Sequence, residues 1–247
     1  MDAFSNIREG HRLEDCYFYH TIDLPNLGTI EGEWDLRPGI QLYSGNVAFS
    51  GKRVLDVGCA NGFLSFYIEK RGASVVSFDL SPKEDWDLVP FAKIDNPEEE
   101  SKVRKEHIRK INNAYRLGHE LLNSEAKAVY GSVYSIPETI RAVDISVFGA
   151  ILLHLRDPFL AMQSALKLTK ETAIITDIYC DIGAPLPTLL FLPDSDLGTL
   201  RSAITPKNTK PETNLFSRSQ VKERTDRQST STRPEPSRRA FTRGPPG

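Results

Sequence analysis

Val54-Leu55-Asp56-Val57-Gly58-Cys59-Ala60-Asn61-Gly62 decides the reading of this chain, because an apolar strand runs there directly into a glycine turn. Phe63, Leu64, Tyr67 and Ile68 then share one stripe and Gly72 supplies a stop, so a helix is predicted over 62–71. Ser74 to Asp79 reads as a second strand that ends on a carboxylate 21 positions after Gly58. Strand, glycine turn, helix and acid-ended strand together hold a nucleoside-bearing ligand at the carboxyl edge of a parallel sheet.

The alternation continues outward from this unit. Arg53 to Val57 is nearly continuous in apolar residues, as a strand covered on both faces requires. Asn96 as N-cap, Pro97 at the first helical position and Glu98 to Glu100 in the first turn predict a helix over 97–122. Strands are expected at 126–130, 143–148 and 172–177, with a helix at 158–168 between the last two. The fold class is therefore α/β, a doubly wound and mostly parallel Rossmann-like sheet with helices on both faces.

Two flanks differ from this core. Residues 1–50 carry many aromatics and turn formers, including Tyr17-Phe18-Tyr19-His20 and Trp34-Asp35-Leu36-Arg37-Pro38-Gly39, and are expected to pack as an N-terminal cap. Residues 51–204 form the ligand-binding domain. Residues 205–247 hold ten Lys or Arg against four Asp or Glu, with six prolines and few large apolar side chains, so a disordered basic tail is expected. Beyond Asp177 only the apolar stretch Pro185 to Leu192 stands out, and the C-terminal sheet edge is expected to be incomplete.

Composition narrows the setting. The net charge of −2 over 247 residues advertises no nucleic acid globally, although the tail's balance of +6 leaves about −8 on the rest. Cys16, Cys59 and Cys180 are too far apart for C-x-x-C chemistry and odd in number, so no disulfide framework or metal site is expected. The chain begins without a basic and apolar leader pattern, and no uninterrupted apolar run approaches membrane-spanning length. A soluble cytoplasmic protein follows, with no membrane partner.

The turn itself selects among ligands. G-x-G-x-x-G would need glycine where Ala60 and Phe63 stand, and no G-K-[ST] follows, so dinucleotide and P-loop readings are disfavoured. Gly58 and Gly62 allow a tight turn and close backbone approach, and amides near Asn61 to Leu64 suit a small anionic group. Asp79 can accept both hydroxyl hydrogens of a ribose. Asp56 is read as an organiser of the loop.

Val54 to Gly62 resembles motif I of the class I S-adenosylmethionine-dependent methyltransferases. That resemblance implies a methyltransferase in which Asp56, Gly58, Cys59, Ala60, Asn61 and Gly62 surround the methionine end of S-adenosylmethionine, and Asp79 with Leu80 holds its ribose. Gly131-Ser132-Val133-Tyr134 is similar to the turn bordering the adenine, although relatives often carry an acid where Ser132 stands. Phe148 and Gly149 match the pocket wall. Tyr19 to Leu24, Trp34 to Pro38 and Leu152-Leu153-His154-Leu155-Arg156-Asp157-Pro158 further resemble the group related to tRNA wobble-uridine modifying enzymes. Some of these use carboxy-S-adenosylmethionine, so the acceptor is expected to be a small molecule or a tRNA base.

His154 and Arg156 are the candidate catalytic residues. Histidine suits proton removal or substrate positioning, against which stands a structural histidine bonded to a loop carbonyl. Arg156 either clamps an anionic group or pairs with an acid such as Asp157. His20 and Asp23 are open between a lid and simple packing. Lys102 to Arg116 reads as a solvated face with i,i+4 acids, the alternative being a track for phosphates. Because a sulfonium donor asks mainly for positioning, an intact donor pocket with a defective acceptor side would leave a weak binding or scaffold protein instead of an enzyme.

Overall fold

The computed structural model describes residues 4–5, 10–87 and 94–177, and the backbone of 212–217. The N-terminal segment forms an antiparallel hairpin, β1 (Ile22–Leu24) with β2 (Gly28–Ile30), and then a single helical turn, α1 (Ile40–Tyr43). The core follows as β3 (Arg53–Val57), α2 (Phe63–Glu69), β4 (Ser74–Asp79), α3 (Pro97–Leu121) and β5 (Lys127–Tyr130). It continues with β6 (Val143–Gly149), α4 (Pro158–Leu166), β7 (Thr169–Asp177) and β8 (Glu212–Ser217).

The strands lie in the order β5-β4-β3-β6-β7-β8, all parallel except β8. Chain order reverses between β3 and β6, which makes the gap above these two strands the topological switch point where open α/β sheets take ligands. Alternate residues of β3 serve opposite layers. Val54 packs with Leu64, Ile68 and Val75 on one face, while Leu55 and Val57 pack with Phe78, Phe148 and Ala165 on the other. Each fully buried aliphatic or Phe side chain of this kind contributes about 1.5–3 kcal/mol.

The predicted cap is present: Asn96 accepts from the Glu99 N–H at 3.2 Å to start α3. A cap not foreseen starts α4, where Asp157 accepts from the Leu160 N–H at 2.8 Å. Helices α2 and α4 are shorter than expected, and β7 starts three residues earlier, through an irregularity opposite Val143 and Ile145.

Two expectations about the ends are corrected or enlarged. Six residues of the tail expected to be disordered form β8, in antiparallel register with β7 from Thr172↔Ser217 to Asp177↔Glu212. The sheet edge expected to be incomplete thus carries a strand, because paired backbone groups need a partner edge more than an apolar pattern. The Pro185 to Leu192 stretch lies outside the described residues. The cap is joined to the core through Phe18, Ile22 and Leu24, which pack with Phe66, Ala114 and Tyr115. At the opposite edge the Ser5 N–H bonds the Ala128 carbonyl at 2.9 Å, so residue 5 shields β5.

Candidate active site

The carboxyl ends of β3 and β4 are stitched together before any ligand is considered. The Gly58 and Cys59 N–H groups donate to the Phe78 carbonyl at 2.8 and 3.2 Å, and Gly62 N–H donates to Cys59 O at 2.8 Å. Ala60 and Gly62 take left-handed conformations, with φ of 48° and 83°. A Cβ on Gly58 would meet the Ile151 side chain at 2.7 Å, and one on Gly62 would meet Phe66 at 2.5 Å and Tyr115 at 2.7 Å. Both glycines therefore make room for the protein's own side chains, and backbone strain adds to the demand at both, since Gly58 also has φ of 79°.

Asp79 is the centre of the arrangement. One carboxylate oxygen accepts from the Ala60 N–H at 2.5 Å, the other from the Leu80 N–H at 2.6 Å, and the Cys59 thiol lies 3.7 Å away. Its carboxyl is closely surrounded by protein while the residue keeps partial solvent exposure. Enclosure raises its pKa, and the two backbone N–H groups oppose the rise. Oδ2 is met by both the Ala60 N–H and the Cys59 thiol, whereas Oδ1 receives the Leu80 N–H and keeps a further lone pair able to accept from a diol.

Asp56 points elsewhere. It is 1% exposed and accepts from Ser65 Oγ at 2.6 Å, Ser65 in turn accepts from Ser77 at 2.7 Å, and Ser77 accepts from the Tyr115 hydroxyl at 2.8 Å. In this buried relay Ser65 and Ser77 each donate once and accept once and Tyr115 donates, tying β3 to α2, β4 and α3. Burial pushes the Asp56 pKa up to about 7, with Ser65 opposing. Its placement is that of an anchor beneath helix α2.

The other predicted residues divide by exposure. Asn61 is buried and clasps the cap: its Oδ1 accepts from the His20 N–H at 2.7 Å and its Nδ2 donates to the His20 carbonyl at 3.0 Å. Cys59 is buried, and burial raises its thiol pKa well above normal. Leu80 is half-buried, its carbonyl accepting from Asn112 at 3.2 Å. Ser132 and Val133 are half-buried at the end of β5, where Ser132 Oγ accepts from the Tyr134 N–H at 3.4 Å. Phe148 is fully buried among core residues, whereas Gly149 is half-buried and its missing side chain admits the Tyr43 hydroxyl.

His154 and Arg156 stand on the exposed loop after β6, the histidine closing a short helical turn over Leu152–His154. The Arg156 N–H donates to Asp87 Oδ2 at 2.9 Å. His20 is buried, its ring against Tyr19 and Phe63, and burial lowers its pKa to about 4, so it is neutral near pH 7. Asp23 sits on the hairpin, bonded to Thr29 and Arg37 at 2.6 and 2.7 Å, away from the glycine turn's hydrogen bonds. Sequence patterns missed Ile151, Tyr43 and Asp87, which reach the sheet edge from the loop after β6, from α1 and from the segment after β4, and missed the bond from Tyr134 to Asp87.

The basic face of α3 is paired with acids. Lys102 meets Glu99, Arg104 meets Glu100, Lys105 meets Asp85 and Arg109 meets Glu106, at 2.6–3.6 Å. Among the described residues there is no group of three His, Cys, Asp or Glu side chains able to hold a metal, and no helix long and apolar enough to cross a membrane.

Fold and site together define a doubly wound α/β protein with an oriented carboxylate and a glycine turn at the switch point. No family model matches the chain. It is 31% identical over 122 residues to the ubiquinone biosynthesis O-methyltransferase of Nitrosomonas europaea, an alignment covering 49% of this chain and 41% of that protein. The chain thus matches about two-fifths of that relative's length. Among solved structures, the N-terminal domain of EvdMO1 with S-adenosylhomocysteine and D-fucose superposes with a TM-score of 0.48 at 15% identity, covering 87% of this chain and 82% of that one. Magnesium protoporphyrin IX methyltransferase from Synechocystis PCC 6803 with bound S-adenosylhomocysteine gives a TM-score of 0.39 at 14% identity, covering 57% and 53%.

Proposed function

We propose that this protein is an S-adenosylmethionine-dependent methyltransferase acting on a small molecule. The observation that carries the reading is Asp79, partly exposed at the end of β4 and held by the Ala60 and Leu80 N–H groups beside the glycine turn. A ribose needs such a carboxylate, and the left-handed turn at Ala60 to Gly62 leaves the first turn of α2, which no side chain caps, facing the small acidic end of the same ligand. The residues fit the donor residue by residue: Asp79 for the ribose hydroxyls, Leu80, Ser132 and Val133 beside the base, and the turn for the methionine end. When bound, the sulfonium supplies an activated methyl group, so the chain's task is to orient donor and acceptor and to exclude water.

The partial likeness to an O-methyltransferase supports a hydroxyl acceptor. His154 and Arg156, exposed above the end of β6, are the side chains placed to meet it: His154 to take the hydroxyl proton, Arg156 to hold an anionic group. The relation to tRNA wobble-uridine enzymes and the use of carboxy-S-adenosylmethionine belong to the same proposal as its narrower forms. The acids paired along α3 favour a small acceptor over a tRNA base. β8 on the sheet edge favours an enzyme over a scaffold that keeps the donor alone.

Mass spectrometry of ligand released from the purified protein tests the donor, with S-adenosylmethionine, S-adenosylhomocysteine or the carboxy form as expected species. Calorimetric titration with S-adenosylhomocysteine gives the second arm, and absence of binding would overturn the reading. Transfer of label from methyl-labelled donor to a metabolite pool but not to tRNA is expected.

A further inference from the structure

The loops that follow β4, β5 and β6 meet at one carboxylate. Asp87 Oδ2 accepts the Tyr134 hydroxyl and, at 2.9 Å, the Arg156 N–H; the Tyr134 oxygen also receives the Asp157 N–H at 3.3 Å. Asp87 lies eight residues from Asp79, and the chain between them is pinned to α3. Asn112 donates to the Leu80 carbonyl, Asp85 accepts from Ser101 at 2.5 Å and pairs with Lys105 at 3.2 Å, and Trp86 stands edge-on to His107 at 5.5 Å. The Arg104 guanidinium lies over the same indole at 5.6 Å. A short strap thus runs from the end of β4 at Asp79 to the loop that bears His154 and Arg156.

We propose that Asp87 and Tyr134 are positioning residues that fix the 150–157 loop against the donor strap, so that occupancy at Asp79 and Leu80 is transmitted to the acceptor side. This rests on the donor reading given above. Neither residue need touch the donor or the reacting atoms. Asp157 strengthens the coupling because the same residue caps α4 through Leu160. Loss of the Tyr134 hydroxyl removes the bonds to Asp87 and Asp157 together, leaving the loop held to the strap through the single Arg156 contact.

Hydrogen exchange of peptides covering 150–157 and 58–64 tests this in the wild type, Tyr134→Phe, Asp87→Ala and Asp87→Asn, each with and without S-adenosylhomocysteine. In the free protein Tyr134→Phe and Asp87→Ala are expected to speed exchange in 150–157 by about fivefold or more without changing 58–64, and Asp87→Asn, which keeps one acceptor oxygen, to fall between. In the wild type the ligand is expected to slow both peptides; in Tyr134→Phe it should slow 58–64 alone, with affinity within about threefold of wild type. Unchanged exchange in 150–157 in the free variants would overturn the proposal, as would full retention of ligand protection there. A wild type that binds no S-adenosylhomocysteine would defeat the donor reading instead, and the free-protein comparison would still judge the strap.

Discussion

The glycine turn and the 150–157 loop share one sheet edge but are held in different ways. Around the turn, side-chain polar groups are fixed by protein partners: Asn61 by His20, Asp56 by Ser65, Asp79 by Ala60 and Leu80. The loop after β6 instead presents His154 and Arg156 to solvent and is tied by backbone N–H groups to a half-buried aspartate and a tyrosine. A preorganised donor side beside a lightly tethered acceptor side suits an enzyme whose donor is constant and whose acceptor must enter and leave.

Substitutions at four positions probe this contrast, from the largest effect downward. Gly62→Ala combines a left-handed φ with collision against Phe66 and Tyr115, and should cost about 3 kcal/mol or more of stability in denaturant melts. A loss below about 1 kcal/mol would show that the turn is less rigid than its packing implies. Asp79→Ala should weaken S-adenosylhomocysteine binding about 100-fold by calorimetry, since charge-assisted hydrogen bonds contribute about 1.5–3 kcal/mol. Asp79→Asn should lose less.

Asp56→Asn is a smaller and pH-dependent effect. With its folded pKa near 7 against an ordinary value of 3.8, the carboxyl favours the folded state at low pH, and that advantage is lost as pH rises from about 4 to 7. The asparagine, which still accepts from Ser65, should therefore raise Tm relative to wild type more at pH 8 than at pH 5. An equal change at both would place the carboxyl in a less buried setting. His20 works in the opposite sense: its lowered pKa means that stability present above about pH 6.5 is lost as pH falls toward 4. Last, Arg109→Ala removes an exposed partner of Glu106 and should change stability by less than about 0.5 kcal/mol, with no effect on ligand affinity.

The donor side was largely legible because its signals are local. A strand, a turn, a helix stripe and a terminal acid all fall between Arg53 and Asp79, and the capping residue Asn96 sits within three positions of its partner. The acceptor side was not, because its bonds join residues far apart, as Tyr134 to Asp87 across 47 positions, and the clasp of His20 by Asn61 across 41 was hidden on the donor side in the same way. Glu212–Ser217 escaped notice for the same reason, since a strand so polar is defined by the free edge of β7 rather than by its own pattern. Phe148 shows the reverse error, a residue placed by resemblance in the pocket wall whose side chain belongs to the core.

The contact between Gly58 and Ile151 limits how this protein can be redesigned. A side chain on the acceptor loop rests where the Cβ of the donor turn would be, so the two functions share one patch of volume. Widening the acceptor side by trimming Ile151 would leave a void against the donor turn, and enlarging residue 151 would press on it. On the proposed function, a change of substrate preference sought at that position therefore carries a change in donor affinity with it, whereas His154 and Arg156 on the same loop are exposed and do not fill that volume.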